Sequence, residues 1–81
     1  MAFYTYILQS QNHKTNYYGH CENLEDRLSQ HNKGKVSYTK GRWPWVIHYY
    51  EKFGTRSEAV KRERFFKSID GYKYLKNKGI I

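Results

Sequence analysis

Apolar and polar positions along the first twenty residues predict a β-hairpin. Aromatic and branched residues occupy both faces of residues 3–9, which is typical of a central strand covered on both sides. A polar run over residues 10–15 predicts a turn, and residues 16–20 then return as a second strand. This hairpin would bring Tyr6 and Tyr17 close together.

Helical spacing follows the hairpin. Asn23 is a favourable N-cap and Asp26 stands three residues later, so a helix is predicted over residues 24–32. A Lys-Gly pair at residues 33–34 should end it. Gly19, which precedes this helix, is predicted to let the backbone turn.

One face of this helix mixes apolar and polar side chains. At about 100° per residue, Leu24, Arg27, Leu28 and His31 fall on one stripe. Polar groups beside a buried seam are costly unless something there uses them, so the stripe suggests a functional cleft beside the sheet. The alternative is that Arg27 simply extends its guanidinium group to water.

The C-terminal half predicts one more strand and two more helices. Residues 45–53, which follow Pro44, predict a third strand, and a capping box over residues 55–58 starts the second helix at Arg56. An Asp-Gly pair at residues 70–71 is predicted to break this helix, and a short third helix follows over residues 72–78. The predicted order is β-β-α-β-α-α in one domain, residues 1–81.

Composition excludes several classes of protein. The single cysteine, Cys21, excludes an internal disulfide framework and fits a reducing compartment. The first apolar run is too short to span a membrane and has no basic region ahead of it, so we expect a cytoplasmic protein without membrane attachment. A zinc site formed by Cys21, His20 and His31 is disfavoured, because the sequence has no CxxC or HxxxH spacing.

Charge is distributed unevenly and points to a polyanionic partner. The net charge is +8, and residues 32–81 hold thirteen basic and four acidic side chains. Such a basic half, with nine tyrosines and two tryptophans, favours nucleic acid, whereas the alternative is a basic protein whose aromatic residues only fill the core. The residues predicted to contact nucleic acid lie in the loop after the first helix and on the second helix: Lys35, Tyr38, Lys40, Arg42, Arg62 and Lys67.

Glu63 is a carboxylate on the otherwise apolar face of the second helix, between Ala59 and Phe66. A half-buried acid of this kind can bind a hard divalent cation, with water and phosphate oxygens completing the coordination shell. The alternative is a structural ion pair with Arg27 or a lysine.

Taken in order, these features resemble the GIY-YIG nuclease superfamily, and in particular its small stand-alone bacterial members. Residues 4–8, Tyr-Thr-Tyr-Ile-Leu, match the first motif, and residues 17–19, Tyr-Tyr-Gly, match the second. Arg27, His31 and Glu63 follow at matching positions, so the resemblance covers nearly the whole chain.

The resemblance implies an α/β (α+β) fold with a three-stranded antiparallel sheet flanked by helices. It also implies hydrolysis of DNA phosphodiester bonds with one divalent cation, Mg²⁺ or Mn²⁺, held by Glu63. Arg27 would bind the phosphate oxygens. Tyr17 would act as general base while Tyr6 hydrogen-bonds the water or phosphate, although these two roles could be exchanged. His31 would contact the phosphate or orient a tyrosine.

The sequence departs from the family pattern at three positions. Tyr4 replaces the glycine of the first motif, and Tyr18 replaces the isoleucine of the second. His20 stands where relatives often carry a lysine near the general base, and it could assist that base.

Two functions remain open at this stage. One is an endonuclease acting on branched or damaged DNA, as in DNA repair; the other is a non-catalytic nucleic-acid-binding module of the same fold. Because no specificity domain is visible in the sequence, we expect little sequence preference, and a protein partner could supply specificity.

Overall fold

A three-stranded antiparallel sheet with three helices forms the structure, a computed structural model that describes residues 2–81. The predicted fold class is therefore confirmed. The elements are β1 (Phe3–Ser10), β2 (Asn16–Cys21), α1 (Leu24–Asn32), β3 (Trp45–Phe53), α2 (Arg56–Phe66) and α3 (Ile69–Asn77). Strand β1 lies in the middle, in the order β2-β1-β3. No helix within residues 2–81 has the length and apolar character needed to cross a membrane.

The first two strands form the predicted hairpin. Leu8 lies opposite Tyr17, and Tyr6 lies opposite Gly19. The prediction that the backbone turns at Gly19 is wrong, because this glycine lies inside β2 and the strand continues to Cys21. Its small size is needed for another reason, which involves the ring of Tyr6.

The two faces of β1 contact different helices, because successive side chains of a strand point in opposite directions. On one face, Tyr6 and Leu8 pack with Trp45 and with the leucines of α1. On the other face, Ile7 packs with Phe66 and Leu75, from α2 and α3. The central strand is thus buried on both sides, as predicted from its sequence.

Local capping signals fix the ends of α1 where the sequence predicted them. The side chain of Asn23 accepts a hydrogen bond of 3.0 Å from the backbone N–H of Asp26. At the other end, Gly34 has a φ of +76°, in the left-handed region that glycine adopts readily, and its N–H donates to the carbonyl oxygen of His31. Both contacts satisfy backbone groups that a helix end leaves free.

The boundary between α2 and α3 differs from the prediction. Helix α2 ends at Phe66, and α3 begins at Ile69 with Ser68 as its N-cap, whose hydroxyl accepts a hydrogen bond from the N–H of Gly71. The predicted break at Asp70 and Gly71 is therefore wrong, because both residues lie in the first turn of α3. A polar cap outweighed the turn tendency of an Asp-Gly pair.

Gly71 is buried where the two helices meet. A Cβ atom placed on it would lie 1.7 Å from the carbonyl oxygen of Phe65. Because that neighbour is backbone, the two helices can be this close only when residue 71 has no side chain.

We expect Gly71→Ala to lower the free energy of unfolding by about 3 kcal/mol, because the added methyl group forces α2 and α3 apart. Urea denaturation followed by circular dichroism measures the change. Gly54→Ala is the matched control, since a Cβ atom there would meet nothing within 4 Å. Equal urea midpoints for Gly71→Ala and the unmodified chain would contradict this account of the helix junction.

Candidate active site

His31 is fully buried and lies at the centre of a hydrogen-bonded group. Its Nε2 atom is 3.2 Å from the hydroxyl oxygen of Tyr6, and its Nδ1 atom is 2.8 Å from Oγ1 of Thr39. Burial, together with the nearby charge of Arg27, lowers the pKa of His31 to about 4. The ring is therefore neutral near pH 7.

The hydrogen bonds around Thr39 determine which ring nitrogen of His31 carries the proton. When the Thr39 hydroxyl donates its hydrogen to the carbonyl oxygen of Val36, at 3.2 Å, it accepts a hydrogen bond from Nδ1 of His31. The Nε2 atom then has a free lone pair and accepts a hydrogen bond from the hydroxyl of Tyr6. A neutral histidine in this tautomer gives both of its ring nitrogens and the Tyr6 hydroxyl a hydrogen-bond partner.

Tyr6 is only 1% exposed, and its hydroxyl oxygen also accepts a hydrogen bond of 3.3 Å from Nε of Arg27. Burial raises the pKa of Tyr6 to about 12, even though Arg27 acts in the opposite direction. Gly19 makes room for this ring: a Cβ atom there would lie 2.5 Å from the Tyr6 hydroxyl oxygen. The Tyr-x-Gly motif therefore contains a glycine because the tyrosine of the neighbouring strand lies against it.

Tyr17 is the more accessible of the two tyrosines in the motifs. Its ring centre lies 4.7 Å from that of His31 and 6.4 Å from that of Tyr6. The side chain is half-buried rather than enclosed. The structure thus brings Tyr6, Tyr17, Arg27 and His31 together between the sheet and α1, in one group that we call the tyrosine cluster.

Glu63 lies on the other side of β2 from the tyrosine cluster. One carboxylate oxygen is 2.6 Å from Nδ1 of His20, and the other is 2.8 Å from Nζ of Lys67. Burial alone would raise the pKa of Glu63, but hydrogen bonds from Lys67 and His20 outweigh it and lower the pKa. Within residues 2–81, Glu63 therefore has the lysine partner considered above, and no ion pair with Arg27.

The donor set near Glu63 fits only one kind of metal site. Within the described part of the chain, no three His, Cys, Asp or Glu side chains come together to hold an ion, so the zinc alternative involving Cys21 has no support. Mg²⁺ does not need such a set, because it commonly keeps several waters and binds one or two carboxylates together with substrate phosphates. Glu63 is ionised and partly exposed, and each of its oxygens retains a further lone pair. Glu63 therefore fits as the single protein ligand of a cation whose other ligands are phosphate oxygens and waters.

The six residues predicted to contact nucleic acid differ in accessibility. Lys35, Tyr38 and Lys40 are exposed in the loop after α1, and the guanidinium group of Arg42 lies 5.1 Å from the ring centre of Tyr38. Lys67 is exposed but bound to Glu63.

Arg62 is held in a structural network. Its guanidinium group donates to both carboxylate oxygens of Glu51, at 2.7 and 3.2 Å, and lies about 5 Å from the ring centres of Phe65, Phe66 and Tyr74. Of the six predicted contacts, Arg62 is the least suited to bind nucleic acid, because its hydrogen bonds are already used within the fold.

Thr39 contacts the tyrosine cluster through His31 and was not predicted from the sequence. It is fully buried, and its carbonyl oxygen accepts a hydrogen bond of 3.0 Å from the indole N–H of Trp45. Thr39 belongs to a polar loop without periodicity, so the sequence carries no signal for its burial. The contact with His31 becomes visible only when the loop folds back over α1.

We expect the chain to lose about 3 kcal/mol of stability as the pH falls from about 6.5 to about 4, because of His31. In this range the unfolded chain binds a proton at residue 31 whereas the folded chain does not, so acid favours unfolding. His31→Gln should be less stable at pH 7 but should lose less stability between pH 6.5 and 4.5, as measured by urea denaturation at each pH. His13→Gln is the control, and an identical pH slope in the His31 variant and the unmodified chain would contradict the prediction.

Comparison with known proteins identifies the family. The family model described as the GIY-YIG catalytic domain matches residues 2–74. A UPF0213 protein of Bacillus licheniformis is 40% identical over 69 residues, which cover 84% of this chain and 70% of the relative. A UPF0213 protein of Oceanobacillus iheyensis is 39% identical over 74 residues, which cover 90% of this chain and 85% of the relative.

A solved structure supports the same conclusion. The solution NMR structure of a UPF0213 protein from Bacillus halodurans aligns with a TM-score of 0.55 at 29% identity, over 95% of this chain and 84% of that one. The family match, the sequence relatives and the fold agree with one another. The chain therefore belongs to the GIY-YIG family and has its nuclease-type fold.

Proposed function

We propose that this chain is an endonuclease that hydrolyses phosphodiester bonds in DNA with the help of one divalent cation. The observation that carries the proposal is the hydrogen-bonded chain from Arg27 through Tyr6 to His31, with Tyr17 beside it. These hydrogen bonds fix a guanidinium group and one tyrosine beside a second tyrosine, an arrangement that functional sites need and that an ordinary core does not.

Tyr17 is the better candidate for general base. Tyr6 is buried and has a pKa of about 12, and its hydrogen is committed to His31, so it is poorly placed to accept a proton from water. Tyr17 has an accessible side chain on the same face. A tyrosine can accept a proton if positive charge stabilises its phenolate, and Arg27 and a bound cation would supply that charge. Tyr6 and His31 then act as positioning residues.

Arg27 is oriented for phosphate. Its Nε atom donates to Tyr6 and its Nη1 atom to the side chain of Gln30, at 3.0 Å. The Nη2 group has no hydrogen bond within residues 2–81, so it can donate to a non-bridging phosphate oxygen. In the transition state those oxygens gain negative charge, which a fixed guanidinium group stabilises.

Glu63 would hold the cation on the other side of β2. When bound, a divalent cation stabilises negative charge on the phosphate and on the leaving oxygen. His20 and Lys67 hold the carboxylate of Glu63 in its ionised form and in one orientation. His20 therefore acts on Glu63 directly, and on the base only through it.

The substrate is expected to be bound through its backbone. The exposed basic residues of the loop, Lys35 and Lys40, offer phosphate contacts, which position DNA but do not specify its sequence. A branch or a damaged site would then be selected by the shape and accessibility of the DNA.

We expect Tyr17→Phe to lower the rate of plasmid nicking in Mg²⁺ or Mn²⁺ by at least about 100-fold, because phenylalanine cannot accept a proton. Glu63→Gln should cause a similar loss, because the amide has no charge to hold the cation. Agarose gels that separate supercoiled from nicked plasmid measure both rates.

The controls remove the same groups elsewhere. Tyr50→Phe and Glu25→Gln change an exposed tyrosine and an exposed glutamate, and should nick at the unmodified rate. If the unmodified chain binds DNA but never nicks it with either cation, the protein is a binding module of the same fold and the enzyme proposal is wrong.

Salt dependence tests the phosphate contacts separately. We expect log K for DNA binding to fall linearly with log salt, and Lys40→Ala to reduce that slope by about 1, since one fewer counterion is released. Fluorescence anisotropy at salt concentrations from about 50 to about 200 mM measures this slope, because affinity changes strongly with salt in that range. Arg62→Lys, which alters the network with Glu51, should leave the slope unchanged; an unchanged slope for Lys40→Ala would remove this residue from the interface.

A further inference from the structure

A slot of about 330 Å³ lies along the free edge of β2. It is lined by Asn16, Tyr17, Tyr18, Tyr38 and Lys67. Because Tyr17 and Tyr18 are consecutive in an edge strand, they point to opposite faces of the sheet, and a slot that touches both must pass around the edge. On one face Tyr17 contacts His31, and on the other Lys67 contacts Glu63. The β2 edge slot therefore reaches Tyr17 of the tyrosine cluster on one face and Lys67, the partner of Glu63, on the other.

The aromatic lining suits a flat, partly polar ligand. Tyr38 is 54% exposed, and its ring centre lies 5.7 Å from that of Tyr17. The loop holds this ring in place, because Thr39 is buried beside it and Nη1 of Arg42 donates to the carbonyl oxygen of Tyr38, at 3.1 Å. An exposed tyrosine fixed in this way is a surface on which a nucleobase can stack.

Asn16 adds hydrogen-bonding capacity to the slot. Its Oδ1 atom is shielded from solvent and has no hydrogen-bond partner within residues 2–81. An amide side chain carries one acceptor and two donors, the combination that pairs with the edge of a base. An amino group of a base that paired with Oδ1 would satisfy an acceptor that is costly to leave unpaired.

A base within a duplex cannot enter this slot, because it is stacked on its neighbours and paired with its partner. An unpaired nucleotide has neither constraint. The positive charge of Arg42, whose guanidinium group lies 5.1 Å from the ring centre of Tyr38, favours a phosphate beside such a nucleotide, whereas the charge of Lys67 is paired with Glu63. The ligand class that fits the slot is therefore an unpaired nucleotide of a single strand, which under the proposed function is single-stranded DNA.

We propose that the β2 edge slot binds one unpaired nucleobase of single-stranded DNA, next to the phosphate held by the tyrosine cluster. The position of that phosphate rests on the proposed function, whereas the stacking in the slot does not. An enzyme with this slot would select flaps, gaps and unpaired ends over intact duplex. That preference would come from accessibility of the base and would need no sequence readout.

Binding measured in EDTA tests the slot without any cleavage. Fluorescence anisotropy compares a labelled single-stranded oligonucleotide with its duplex. Tyr38→Ala should weaken single-strand binding about tenfold, because one stacking contact is lost, and duplex binding less than twofold. Tyr38→Phe should restore single-strand binding, because the ring remains. The salt slope should be unchanged in Tyr38→Ala, since tyrosine neutralises no phosphate.

Tyr72→Ala is the matched control. Tyr72 is 52% exposed and also has a cation near its ring, Lys76, but it lies on α3 outside the slot. Equal losses for single strand and duplex in Tyr38→Ala, or an equal loss in Tyr72→Ala, would overturn the proposal. A second measurement uses 2-aminopurine within the single strand: stacking on the unmodified protein should quench its fluorescence, and unchanged fluorescence would also overturn it.

The outcomes separate this proposal from the nuclease proposal. If the protein never nicks DNA but its Tyr38→Ala variant selectively loses single-strand binding, the slot proposal is supported and the nuclease proposal is wrong. If the protein nicks DNA but its single-strand binding does not depend on Tyr38, the nuclease proposal is supported and the slot proposal is wrong.

Discussion

The hydrogen bond between the buried ring of His31 and the hydroxyl of Tyr6 joins helix α1 to the central strand. A buried polar pair of this kind stabilises a fold only when its other hydrogen-bonding atoms are also satisfied, and each unsatisfied group costs about 1–3 kcal/mol. Thr39 satisfies the second nitrogen of His31, and Arg27 donates to the Tyr6 oxygen. Sheet, helix and loop are therefore fixed relative to one another through one imidazole.

The same constraint explains the composition of the family motifs in this chain. Tyr6 in the first motif needs Gly19 of the second, because any side chain there would occupy the space of its hydroxyl. The glycine is required by the neighbouring strand rather than by a backbone turn. In this chain each motif thus supplies one half of a contact. Replacement of the first-motif glycine by Tyr4 is tolerated, since Tyr4 packs at the edge of the same cluster, beside Tyr50.

Much of the fold could be predicted from the sequence because local signals dominate it. Aromatic and branched residues located the strands, and the N-cap residues Asn23 and Thr55 located the starts of two helices. The predicted start of α3 was wrong because the side chain of Ser68 caps the helix ahead of the Asp-Gly pair. Residue types alone allow either a break or a helix at the Asp-Gly pair. The cap hydrogen bond and the close packing of α2 against α3 favour the helix.

Side-chain partners were harder to predict than elements. Spacing placed Arg27 and His31 on one helical face, but it could not show that His31 is neutral or that Thr39 fixes its tautomer, because both depend on contacts between distant segments. Arg62 is a residue type that commonly contacts DNA, yet its guanidinium group is hydrogen-bonded to Glu51 on β3. Charge patterns report which groups are available before folding, and tertiary contacts decide which remain free afterwards.

The two halves of the candidate site are supported by separate apolar clusters. Tyr17 packs on the cluster that contains Trp45, whereas α2, which carries Glu63, is anchored by the cluster that contains Phe66. Proteins open in local units whose free energies differ, so one layer can detach while the other stays folded. Partial opening of either layer would separate the tyrosine cluster from Glu63, so the proposed activity would be lost on heating before the sheet itself melts.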